Sequence, residues 1–255
     1  MHPFIALAFN GFREARRNRI TVVVAVFALA LLLSSTLVME VTVSTFERVL
    51  TDVGLGAMSL TLSLLAIFLS SGLLSREIER RTIFLMVSKP ISRGTFLVGR
   101  LVGNMVTLTV LQASMAVLFF LLVASYGHPI TSAQVVAIVM LWFELLVLSG
   151  VGFLMSSFSS QTVSAFVTVG IYFAGHLARD IYKLAEKSES GLVQQVGRAV
   201  FYLLPDLSRL NYRPHATYGL VSSASELLPA AGYAVAYTGV LVALAVLLFN
   251  RRDFR

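Results

Sequence analysis

Residues 20–39 read ITVVVAVFALALLLSSTLVM. None of them is charged. An α-helix rises about 1.5 Å per residue, so roughly 20 apolar residues cross a bilayer core of about 30 Å. Composition points the same way. The chain is 57% hydrophobic and 13% charged, with a mean hydropathy of +0.83. Soluble domains are about 45–50% apolar and about a quarter charged. In a chain of 255 residues the interior cannot hide so much apolar surface. Lipid must cover the rest.

Five further runs of comparable length follow, at 55–74, 96–123, 133–158, 163–182 and 228–249. The runs do not alternate in polarity as barrel strands do, so helices are expected. The third and fourth are long enough to tilt or to project beyond the lipid. The expectation is a single all-α transmembrane domain over 1–255 with six spans. The first run is too long for a cleavable signal and has no small-residue cleavage site after it, so it is read as a retained span.

The loops are charged unequally. Residues 1–19 carry Arg13, Arg16, Arg17 and Arg19 against Glu14, and the end of the chain carries Arg251, Arg252 and Arg255 against Asp253. Arg76, Arg80, Arg81, Lys89, Arg93 and Arg100 crowd the connection between the second and third runs. Glu40–Gly54 is acidic, with Glu40, Glu47 and Asp52 against Arg48. Cytoplasmic loops accumulate Lys and Arg. Both termini and the 76–100 connection are therefore expected in the cytoplasm, which fits an even number of spans. Residues 1–19 read as an interfacial helix, with Phe4, Leu7 and Phe12 toward lipid and Arg13, Arg16 and Arg17 toward headgroups. Residues 183–227 fall outside by this count despite several Lys and Arg, which acidic residues nearly balance. They read as one or two short outer-face helices broken at Pro205 and Pro214.

Arg76–Arg100 reads REIERRTIFLMVSKPISRGTFLVGR. A plain basic loop explains its arginines. It does not explain Glu77 and Glu79, or the embedded apolar run Ile83–Val87. A short amphipathic helix on the cytoplasmic face explains all three, with Lys89-Pro90 as its stop. The stretch Glu77-Ile78-Glu79-Arg80-Arg81-Thr82, then Ser88-Lys89-Pro90-Ile91-Ser92-Arg93, then Phe96-Leu97-Val98-Gly99-Arg100, resembles the first cytoplasmic loop of membrane subunits of type-2 ABC exporters. Arg81 stands where that family often has Gly, and Arg100 where Lys is usual. The basic start around Phe12-Arg13-Glu14 and Arg17-Asn18 is similar too, as is Leu203-Leu204-Pro205-Asp206-Leu207 before the last span.

The resemblance implies a permease subunit of the bacterial inner membrane. It pairs with itself or with a similar chain and is driven by two cytoplasmic ATPase subunits that carry ATP and Mg. The implied coupling helix lies in 76–95 and would contact the ATPase through Glu77, Glu79, Arg80, Arg81 and Thr82. The chain has no G-x-x-x-x-G-K-[ST] of its own, so it has no phosphate-cradling loop, and no bound cofactor is expected.

Other chemistry is poorly supported. With no cysteine, disulfides, thiolate metal sites and cysteine nucleophiles are excluded. The serines sit in no nucleophile elbow. The basic charge lies beside apolar runs, which points to topology and lipid rather than nucleic acid. His176 has no second metal ligand at helical spacing. Gly99 and Gly103 permit close helix approach. Glu144 falls mid-span, where a carboxylate costs roughly 2.5–3.5 kcal/mol to insert. It reads either as a residue of a translocation path or proton site, or as a neutral or hydrogen-bonded structural group. A gradient-driven transporter or channel is the alternative function, and paired inverted repeats or several intramembrane charges would favour it.

Overall fold

The computed structural model describes residues 20–41, 46–79, 93–188 and 190–250. Among them every regular element is helical. The long helices are α1 (Ile20–Val41), α2 (Phe46–Glu79), α3 (Arg93–Ser125), α4 (Ser132–Ser156) and α5 (Gln161–Glu186). Two shorter ones, α6 (Gly191–Leu203) and α7 (Arg213–Tyr218), flank a 3-10 turn at Leu207–Arg209, and α8 (Ala224–Asn250) closes the chain.

Four segments are long and apolar enough to cross a membrane: Phe46–Gly72, Gly94–Ser125, Ser132–Ser156 and Ala224–Phe249. Within α1 the apolar stretch is Val22–Thr36. Helix α5 has the length but is more polar, with His176, Arg179, Asp180 and Lys183 in its second half. Large apolar side chains such as Leu32, Phe68, Leu121 and Phe166 face outward. In water such a surface would be an aggregation hazard; in lipid it is the expected exterior.

Helix α4 is the axis of the bundle. Its span is 61% buried, against 28% for α8. It packs most extensively on α2 and then on α8. Lipid gives helices no hydrophobic reason to associate, so small side chains and interhelical hydrogen bonds do that work. At Gly152 of α4, a Cβ would lie 2.1 Å from Ser70 Oγ and 3.0 Å from Ser70 Cβ on α2. At Gly150, one would lie 3.1 Å from Thr238 Cγ2 on α8. Gln134 Nε2 donates to Thr51 Oγ1 at 3.2 Å, tying α4 to α2. The same Gln134 completes a capping box with Thr131 at the start of α4, where four backbone N–H groups otherwise lack partners. Asn104 Nδ2 donates to Ser149 Oγ at 3.4 Å, and Trp142 Nε1 to Thr109 Oγ1 at 2.8 Å, joining α3 to α4. Such bonds average about 0.6 kcal/mol each within a membrane.

Several boundaries differ from the apolar runs, for physical reasons. Helix α2 begins at Phe46, ahead of the apolar run, and continues through Arg76, Glu77 and Glu79. The start of the mixed-charge segment is thus the last turn of a spanning helix. Pro214 starts α7 rather than breaking a helix, since it stands at the first turn, where its missing N–H is no loss. Pro229 lies inside α8, six residues into it, where it removes one backbone bond of the helix. Helix α7 ends at Gly219, whose φ of 65° is left-handed and suits glycine. The basic start with Arg13, Arg16 and Arg17, and the stretch with Arg80, Arg81 and Thr82, lie outside the described residues. Glu77 and Glu79 are described in backbone only.

The α2–α4 contact makes a direct prediction. Gly152→Leu must push α2 away from α4, and overpacking of this kind costs about 1–3 kcal/mol. Thermal unfolding in lipid nanodiscs should show the loss. Gly170→Leu, where a Cβ meets nothing within 4 Å, should leave the unfolding temperature nearly unchanged.

Candidate functional site

Glu144 is 2% exposed and lies in the middle of α4. It is not alone there. The Ser63 hydroxyl of α2 donates to Glu144 Oε1 at 3.5 Å. His176 Nε2 of α5 lies 3.5 Å from the same oxygen. The other ring nitrogen, Nδ1, lies 3.0 Å from the Tyr172 carbonyl oxygen one turn earlier. Tyr172 also packs its ring on the imidazole, with centroids 4.7 Å apart. Three helices thus converge on one carboxyl group.

Beside Glu144 is a cavity of about 20 Å³, lined by Leu55, Ser59, Ala137 and Leu141 of the bundle, by Leu210, Asn211 and Tyr212 before α7, and by Arg213 at its start. That is room for about one water molecule and far too little for a transported solute. Among the described residues, this cavity is closed to anything larger than water.

The closure is made by residues 205–218. Leu207, Leu210, Tyr212 and Ala216 are buried in the same apolar core as α2 and α4. The segment is therefore a lid whose underside belongs to the bundle. Its polar side is pinned at two places. Arg213 Nε lies 3.3 Å from Asp52 Oδ1 at the start of α2, and the Thr217 hydroxyl donates to the same oxygen at 3.4 Å. Asp206 is the second pin. Its Oδ2 accepts from Arg179 NH2 of α5 at 3.1 Å and from Arg209 Nε at 2.9 Å. The Ser208 hydroxyl donates to its Oδ1, and its backbone N–H donates to the Tyr233 hydroxyl of α8 at 2.9 Å. The lid comes this close because position 175 is glycine; a Cβ there would lie 2.7 Å from the Pro205 carbonyl oxygen.

Burial alone would raise the Asp206 carboxyl above its ordinary 3.8, but the Ser208 hydroxyl and the Arg179 and Arg209 guanidinium groups more than reverse this and hold it lower. A carboxyl whose folded value is depressed contributes stability above its ordinary value and loses it as acid protonates the native state.

Glu144 stood out in the sequence as an intramembrane charge; its partners did not. Helical spacing gives His176 no partner on its own helix; its neighbour Glu144 sits on the preceding one. Arg179 reads from sequence as an interfacial residue, and nothing local shows that it reaches Asp206.

Asp206→Ala should destabilise the chain by about 1–3 kcal/mol, the cost of leaving buried hydrogen-bonding groups without their partner. Arg179→Ala should cost less, because Arg209 and Ser208 remain on the carboxylate. In wild type this contribution should persist at neutral pH and fall away below about pH 4. Asp206→Asn should flatten that acid limb. Unfolding midpoints measured against pH in nanodiscs check all three.

A family model described as "ABC-2 family transporter protein" matches residues 5–254. No curated protein matches the chain. The match runs almost end to end, and the described residues supply what a permease requires: an all-helical body with several membrane-capable helices and many large apolar side chains on its exterior. The chain belongs to the ABC-2 family of transporter proteins and is a membrane permease of that family.

Proposed function

We propose that this chain is the membrane subunit of an ATP-driven exporter, energised by separate ATPase subunits that bind ATP and Mg. The near full-length family match is the observation that carries the reading. Two features of the chain support it. It has no phosphate-binding loop of its own, so if it moves substrate by ATP the energy comes from another polypeptide. It also places a mixed-charge cluster at the tip of α2, where Glu77 and Glu79 continue a spanning helix beyond its apolar part.

In this reading the tip of α2 and the residues after it, Arg80, Arg81 and Thr82, dock on the ATPase. That end of the bundle faces the cytoplasm with both termini, and the Asp52–Asp206 end faces outward. Helix α6, which leaves Leu192 and Leu203 largely exposed, rests in the outer lipid interface with Arg198 toward headgroups. Two copies, or this chain with a similar one, enclose the route. Glu144, beneath the lid, stands beside it.

Glu79→Arg tests the docking assignment. The variant should insert and fold as wild type does, while ATPase stimulation in the reconstituted complex falls roughly 5-fold or more, the lower range of site-to-site coupling free energies of about 1–3 kcal/mol. Unchanged coupling in a complex that still copurifies counts against docking at this tip. Copurification of the chain without any ATPase counts against the whole reading.

A further inference from the structure

The contact between Glu144 and His176 has a requirement that the heavy atoms alone reveal. His176 Nδ1 lies 3.0 Å from a backbone carbonyl oxygen, that of Tyr172. A carbonyl can only accept, so Nδ1 carries a hydrogen. A neutral imidazole has one N–H, which leaves Nε2 a bare lone pair. Glu144 Oε1 lies 3.5 Å from that nitrogen. If Glu144 were a carboxylate and the ring neutral, two acceptors would face each other in a site where Glu144 is 2% exposed. The contact is attractive only when one proton lies between them, on the carboxyl oxygen or on Nε2.

We propose that Glu144 and His176 form a proton-binding site that holds one proton beyond what a carboxylate and a neutral imidazole carry, and that this proton closes α5 onto α4. The proton comes from water and returns to it; no other bond forms or breaks. The Ser63 hydroxyl supplies the remaining hydrogen bond to Oε1. The other charged and titratable groups that face the pair are Tyr172 on α5, Arg213 from α7 and Asp206 from the lid. Arg213 is matched by Asp52, and Asp206 by Arg179 and Arg209. Separating α5 from α4 breaks the contact and leaves a carboxyl group that must either hydrate or keep the proton alone. Opening the bundle is thereby linked to the site's proton. The assignment does not depend on how the transporter is energised.

The experiment counts protons. The full chain in lipid nanodiscs is unfolded with sodium dodecyl sulfate at about pH 8, above the ordinary histidine value of about 6.5, and proton release is read with an indicator dye. Wild type should release about one proton per chain more than Glu144→Gln, since the glutamine amide can donate to Nε2 without an added proton. Equal release from the two overturns the proposal. A second measurement needs no variant that might misfold. In ¹⁵N-histidine spectra of the wild-type chain in nanodiscs, with His176 assigned by His176→Gln, Nδ1 should carry a proton across about pH 6–8. A bare Nδ1 with the proton fixed on Nε2 removes the premise and overturns the site.

Discussion

Helices α2 and α4 run side by side in the same direction, and the rest of the bundle is arranged around their seam. Three contacts mark it: Thr51 with Gln134, Ser63 with Glu144, and Ser70 with Gly152. The sequence offset between partners stays between 81 and 83 along the whole seam, as it must when two nearly parallel helices keep one register. In a bilayer there is no water to accept a misplaced hydroxyl or amide. Each polar group on this seam therefore has to meet its partner at one depth, and a slip of one turn would strand all of them together. Polar contacts that each contribute little set the register of the most buried of the described spans.

The lid follows from the same constraint. Residues 205–218 are irregular and short-helical, which is tolerable near hydrocarbon only when the backbone is enclosed by protein or faces water. Leu207 and Leu210 sink into the bundle while Asp206 and Arg213 stay with charges at the rim. The apolar side chains fix where the lid sits, and the ion pairs fix which helices it joins. Asp206 reaches α5 through Arg179 and α8 through Tyr233, so the lid links helices that the seam does not.

Much of this architecture was legible in the chain before any coordinates. Long uncharged runs read as helices, and the mixed-charge stretch after the second of them carried the resemblance to the family. What stayed hidden was pairing between helices. Glu144 was conspicuous because an acid in an apolar run is rare, but Ser63 and His176 carry no local sign of being its neighbours. Gly175 looks like any glycine of a spanning helix until Pro205 is set against it. Periodicity reports which face of one helix is apolar; it does not report which side chain from another helix arrives at that depth. Helix ends were likewise blurred, since α2 runs past its apolar segment into Glu77 and Glu79 on helix propensity that a hydropathy window does not measure.

That extension of α2 gives the protein a mechanical element. The apolar segment ends at Gly72 and the helix at Glu79, a projection of about 10 Å at 1.5 Å per residue. From Glu79 back to Asp52 the same helix spans about 40 Å, and Asp52 holds the lid through Arg213. A stiff rod of this length transmits tilt with little loss. A small rotation imposed at the charged tip would arrive at the far end as a displacement at the Asp52–Arg213 contact, with the Ser63–Glu144 contact near the rod's midpoint.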